Sequence, residues 1–291
     1  MKSPLSRLCL TLAAWVLSLL AASCRVVSTT PPPSHLEIAL PEAAEARLSS
    51  EALLRRPSAT SIVVSGAPAY AGLTLHVKVL PMTDLVPPRY AREDMSVVFE
   101  CLDGFAATIP AVKVLGKSAD GPHAFLAVED PVSPWPPLKN HPEATAGPFY
   151  LVWSVTRPGQ VAPEEWPYQI KRIAVREADG EFRGIRPEAT AGAAVAAGFQ
   201  VFVRNCSPCH TLNGVGEGRV GPDLNSPMSP TEYFREGIFE RYVRNPPSVI
   251  QWSGQKMPSF SPDALSDAEL ASLRAYLAAM VPRKTVPPPA R

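Results

Sequence analysis

Two hydrophobic periods divide this chain. Between residues 73 and 79, Leu73, Leu75, Val77 and Val79 alternate with Thr74, His76 and Lys78. A period of two puts the apolar set on one face of a strand. Near the other end, Leu270, Leu273, Tyr276 and Leu277 recur at helical spacing and predict an amphipathic helix. Ser266 stands at its N-cap position, with Asp267 and Glu269 in the first turn, where the backbone amides favour carboxylates. Further strands are predicted at Ser96–Cys101, Ala124–Val128, Phe149–Val155 and Gln169–Val175, punctuated by turns at Asp103-Gly104, Asp120-Gly121, Pro134–Pro137 and Pro158-Gly159. Gly198 and Phe202 share one helical face; the glycine lets a second helix approach closely, with Phe202 meeting Tyr276 at the crossing. A further helix is expected over Thr231–Asn245. The pattern therefore predicts a multidomain chain, with a β-rich (α+β) region over residues 61–180 followed by an all-α region over residues 187–284. Residues 25–60 read as a tether, extended at Pro31-Pro32-Pro33, and a short helix, Leu40 to Arg56, rich in Ala, Glu and Leu. Residues 285–291 form a proline-rich tail.

Composition changes this picture little. With 28 Lys+Arg against 27 Asp+Glu the net charge is +1, which argues against a nucleic-acid partner. The 34 prolines mark a loop-rich protein. Cysteine usage is more telling. Cys9 and Cys24 lie at the N-terminus, Cys206 and Cys209 form a pair, and Cys101 is left over, so no structural disulfide is expected.

The pair carries the chemistry. Cys206-Ser207-Pro208-Cys209-His210 is the attachment signature of c-type haem. The two thiols add to the haem vinyl groups, and His210 becomes an axial iron ligand. A structural zinc site needs a second pair of ligands at similar spacing, and the chain has none. A thioredoxin-like pair has no use for the trailing histidine.

Around that signature, Gly198 and Phe202 upstream, Gly221-Pro222-Asp223-Leu224, Lys256-Met257-Pro258-Ser259-Phe260 and the helix from Asp267 together resemble the class I cytochrome c family. The resemblance covers about residues 187–284. It implies that the thioether of Met257 is the second axial ligand and that the carbonyl of Pro222 steadies His210. Among the other methionines Met228, in a proline-rich loop, competes for the iron, and Met280 falls in the last helix. His/Met ligation favours Fe(II) relative to a pair of imidazoles and leaves no open site for oxygen.

Several segments of the β-rich region, including Val97-Val98-Phe99-Glu100-Cys101-Leu102-Asp103-Gly104-Phe105 and Gly147-Pro148-Phe149-Tyr150-Leu151-Val152-Trp153, resemble the molybdopterin-binding domain of the sulfite oxidase family over about residues 70–180. In that family a cysteine N-terminal to the matched region ligates molybdenum. Here only Cys101 is present, at a different place, so the resemblance implies a scaffold that has lost its cofactor. His35, His76, His123 and His141 stand alone and receive no chemistry; Trp135, Trp153 and Trp166 are read as packing.

The first residues hold an address. Lys2 and Arg7 precede an apolar run, Leu8 to Ala22, too short for a comfortable membrane span. It closes on Leu20-Ala21-Ala22-Ser23-Cys24, which resembles a bacterial lipoprotein signal over residues 1–24 and implies acylation of Cys24. The combined expectation is a periplasmic, membrane-anchored electron carrier with one haem c. It would serve a redox protein or membrane respiratory complex, with the β-rich domain for docking or support. The alternatives are a molybdenum-dependent oxidoreductase with a fused haem domain, and a haem sensor without turnover.

Overall fold

A computed structural model describes residues 34–116, 121–155, 160–235 and 237–285. The predicted leader, Cys24 and the Pro31-Pro32-Pro33 spacer lie outside the described residues, as does all of the tail beyond Thr285.

Among the described residues, nine strands form two sheets. The first runs β2 (Ala46–Ser49), β1 (His35–Ala39), β9 (Ile170–Glu177), β5 (Met95–Cys101), β6 (Ala106–Pro110); the second runs β3 (Thr60–Ser65), β4 (Thr74–Pro81), β7 (His123–Val128), β8 (Phe149–Ser154). All pairings are antiparallel except β1 with β9. The alternation predicted for β4 is observed: Leu75, Val77 and Val79 are buried while His76 and Lys78 face outward. These side chains share one apolar core with Leu36 and Ile38 of β1, Val97 and Phe99 of β5, Leu151 of β8 and Ile173 of β9. Trp135, Trp153 and Trp166 are buried in the same core. Leu73 falls outside the strand and is exposed.

Of the expectation for residues 25–60, the part from Ser34 onward requires correction. No helix runs from Leu40 to Arg56. Residues 35–39 are a strand inside the sheet, between β2 and β9; the chain turns through Glu42 at φ 63 and returns as β2, leaving only the short helix α1 (Ser50–Leu54), capped by Ser49. Alanine and glutamate are good helix formers, but such local propensity is weak against tertiary context, and pairing with β9 overrides it. The first domain therefore begins near Ser34 rather than at residue 61. Short helices α2 (Ala111–Leu115) and α3 (Ala178–Glu181) complete it.

The C-terminal residues build a second, separate core on α4 (Ala193–Val201), α5 (Pro230–Tyr233), α6 (Ile238–Arg244) and α7 (Asp267–Met280). The Ser266 side chain caps α7 reciprocally with Glu269. α4 crosses α7 at Gly198, where a Cβ would overlap the carbonyl oxygen of Ser272 and lie 2.7 Å from the Cβ of Tyr276. The Tyr276 ring sits 5.8 Å from Phe202 and 5.6 Å from Phe199, centroid to centroid, and its hydroxyl donates to the Ile185 carbonyl at 2.8 Å. Since backbone blocks the added methyl, Gly198→Ala is expected to destabilise the holoprotein by about 1–3 kcal/mol, read as a lowered denaturant midpoint.

The helix expected over Thr231–Asn245 is two pieces. Ser229 and Glu232 form a capping box at the start of α5, the chain leaves the helix at Phe234, and α6 restarts after Gly237 at φ +74. Glycine supplies that left-handed turn at no steric cost.

Glu181, at the end of α3, accepts hydrogen bonds from Thr108 Oγ1 at 3.0 and 3.1 Å. Burial is the largest influence on its carboxyl; with Glu217 and Glu100 nearby it outweighs Thr108 and Arg176 and pushes the group up to about 7 from 4.5. A carboxyl raised on folding stabilises the fold while protonated, and that contribution is lost as pH rises from about 4.5 through about 7. Relative to Glu181→Gln, the native chain should lose stability across this window, by on the order of 3 kcal/mol at most. Denaturant titrations of both at pH 4.5 and pH 8 check it.

Candidate functional site

The attachment residues lie where α4 runs out. Its last turn, Phe202–Cys206, widens to π spacing, with Ser207 N donating five residues back to the Phe202 carbonyl at 2.8 Å. Cys209 N and His210 N then both donate to the Cys206 carbonyl, at 3.0 and 2.9 Å. Local π turns recur at functional sites, and this one brings both cysteines and His210 to the end of one helix. Cys206 and Cys209 are free and partly buried. Burial, first of all, raises the Cys206 thiol to about 12 and the Cys209 thiol to about 11. Redox dithiols and thiolate metal ligands depend on the opposite shift. Among the described residues no group of three or more His, Cys, Asp or Glu side chains could hold a metal ion.

His210 is held by its ring. Nδ1 donates to the Pro222 carbonyl at 2.7 Å. A carbonyl can only accept, so Nδ1 carries the proton and the Nε2 lone pair is free. Burial depresses the imidazole below its usual range, against the opposing effects of Pro222 and Asp223, and favours the neutral, ligating form. The loop bearing Pro222 is drawn tight. Gly221 N donates to Cys209 O at 2.9 Å and Leu224 N to Thr211 O at 2.8 Å. The Asp223 carboxylate accepts from Gly214 N (2.7 Å), Thr211 Oγ1, Asn225 N and Ser226 N (each 2.8 Å), and Asn213 N (3.1 Å). Burial pushes that carboxyl up, but these bonds outweigh it and leave it below its ordinary range.

Two glycines permit this closeness. A Cβ on Gly218 would overlap the Ser207 carbonyl oxygen, and one on Gly221 would overlap the His210 ring at Cε1 and lie 2.6 Å from Nδ1. Gly221→Ala must therefore push the ring or the loop aside. We expect impaired haem retention and an altered absorption spectrum, measured on protein purified alongside the native chain; an unchanged spectrum and haem content would contradict the cradle.

Met257 lies in an irregular stretch, partly buried, and packs on the same core as Cys206, Val203, Leu224 and Phe234. Met228 is 48% exposed, and Met280 is fully inside the core. The return of the chain after Met257 is fastened by Arg244, whose Nη1 donates to the carbonyls of Phe260 (3.0 Å) and Leu265 (2.6 Å) while Nη2 pairs with Asp267 at 2.6 Å. Arg244 carried no signal in the sequence; it resembles any charged residue on a surface helix.

The sequence also gave no hint of the contact between the two domains. Ala106 N donates to the carbonyl of Pro208, inside the attachment motif, and Arg219 N donates to the Gly104 carbonyl, both at 2.8 Å. Arg176 and Glu217 pair beside them. Cys101 is buried in β5, where desolvation holds its thiol well above the usual range.

A helical C-terminal unit with a Cys-x-x-Cys-His turn, a histidine backed by a proline carbonyl and a part-buried methionine on the same core define a cytochrome c domain, which implies haem c as cofactor. Residues 193–277 match the family model described as cytochrome C oxidase, cbb3-type, subunit III. No curated protein matches the chain. The donor set fits the cofactor: two free thiols, an imidazole with its Nε2 free, a thioether, and glycine where the backbone passes the His210 ring.

Proposed function

We propose that the protein is a lipid-anchored carrier of single electrons through one covalently bound haem c. Cys206 and Cys209 would form the thioethers, with His210 and Met257 as the axial ligands. The observation that carries this reading is the bond from His210 Nδ1 to Pro222 O, which leaves Nε2 as the only nitrogen able to ligate. When bound, haem c supplies a one-electron Fe(III)/Fe(II) couple. The chain's residues do the rest. Pro222 orients the imidazole, Asp223 braces the loop that carries Pro222, and Arg244 fastens the segment behind Met257. With His210 and Met257 both holding the iron, the soft thioether would favour the reduced state and no ready site for oxygen would remain.

The address at residues 1–24 supports acylation at Cys24 and a periplasmic, membrane-tethered location, where tethering raises the effective concentration near a redox protein or membrane respiratory complex. The β-rich domain is read as a molybdopterin-type scaffold without its cofactor: Cys101, the one thiol it offers, is 1% exposed and kept protonated. Metal analysis combined with reductive titration tests the proposal. The expected result is one iron and one electron per chain; molybdenum in equal amount, with additional electron equivalents, would favour the oxidoreductase instead.

A further inference from the structure

The turn joining β5 to β6 is pinned against the attachment loop. Ala106, at the start of β6, donates its N–H to the carbonyl of Pro208, which lies between Cys206 and Cys209. Two residues before it, Gly104 accepts from Arg219 N. The fit at Gly104 is close: φ is +91, and a Cβ there would stand 3.1–3.3 Å from the backbone and Cβ of Arg219. The Arg176–Glu217 pair buttresses the same seam. Asp103 heads the turn, with Oδ1 accepting from Phe105 N at 2.9 Å. Glu164 lies in the turn Pro163–Glu165, which packs against β6.

We propose that this hairpin, with the Pro163–Glu165 turn packed behind it, is a built-in cover for the haem-attachment loop, and that Asp103 and Glu164 tune the iron from it. The inference rests on the reading of Cys209 as a haem thioether. A fixed negative charge near the iron stabilises Fe(III), the more positive state, and so lowers the reduction potential. Asp103 is exposed and its field is damped by water; Glu164 is partly buried and is damped less. A face already occupied by the chain's own backbone is closed to outside redox proteins, so electron exchange with them uses another edge. The β-rich domain is then part of the haem site rather than a separable docking arm.

Potentiometric titration of the full-length holoprotein tests this. Asparagine can still accept from Phe105 N, so Asp103→Asn keeps the turn while removing its charge. The potential is expected to rise in Asp103→Asn, to rise further in Asp103→Lys and in Asp103→Asn combined with Glu164→Gln, and to stay unchanged in Glu51→Gln. Glu51 lies on α1, which packs on β2, β4 and β7. Native potentials in every Asp103 and Glu164 variant, with intact absorption spectra, would overturn the cover and leave the electron-carrier reading standing. Absence of covalent haem from the native protein would overturn that reading itself.

Discussion

With Cys206 and Cys209 both replaced by serine, the chain is expected to lose nearly all of its haem on acid–acetone extraction and, with it, an ordered C-terminal domain. The second half of this prediction follows from packing. Val195, Val203, Val215, Leu224, Phe234 and Met257 are only partly buried against the helical core. Those nearest Cys206 and Met257 are the side chains that a large flat cofactor would cover. Without it the small core of α4, α6 and α7 must hold a domain of roughly a hundred residues with much of its lining wet, which is marginal. The β-rich core is independent of these side chains and should persist. Haem extraction, followed by denaturant unfolding of each domain, checks both parts. Each single serine variant should keep its haem by the remaining thioether. Extractable haem in the native protein would mean that the motif binds without covalent attachment.

How far the sequence could carry this reading differs from element to element. α7 was legible throughout, because its stripe, cap and first-turn carboxylates are all local signals. The Gly198 crossing was legible because only glycine fits there. β1 was not. Its alternation spans five residues, and its partner β9 lies more than a hundred residues away, joined by parallel pairing that leaves no local mark. The break between α5 and α6 was written in Gly237, but a lone glycine inside an apolar period is often tolerated. At the site, the cysteines and His210 announced themselves by spacing. The π turn beneath them, the glycine cradle, Arg244 and the seam at Ala106 and Pro208 depend on backbone bonds formed in three dimensions. Gly218 and Gly221 pass close to Ser207 and the His210 ring, an approach that no local pattern marks.

The second large effect is expected at Met257. Removing the thioether in Met257→Ala should open a coordination position, confer carbon monoxide binding on the reduced protein and lower the reduction potential. Met257→His should keep six-coordination and covalent haem while lowering the potential, since imidazole lacks the soft ligand's preference for Fe(II). Met228→Ala should change neither property beyond a small shift, because Met228 is exposed and is not one of the side chains that form the helical core. Proline after Met257 supports its role: it disfavours helix for its predecessor, and Met257 lies in an irregular stretch from which a side chain can turn inward.

An electron carrier of this kind requires a thioether bound to iron. The measurement that reaches it most directly is the long-wavelength charge-transfer band of the ferric holoprotein, which reports methionine sulfur on Fe(III). The band is expected in the native protein and in Met228→Ala, and absent from Met257→Ala and Met257→His. Its persistence in Met257→Ala, with potential and carbon monoxide reactivity unchanged, would contradict the assignment and remove the main support for an electron carrier.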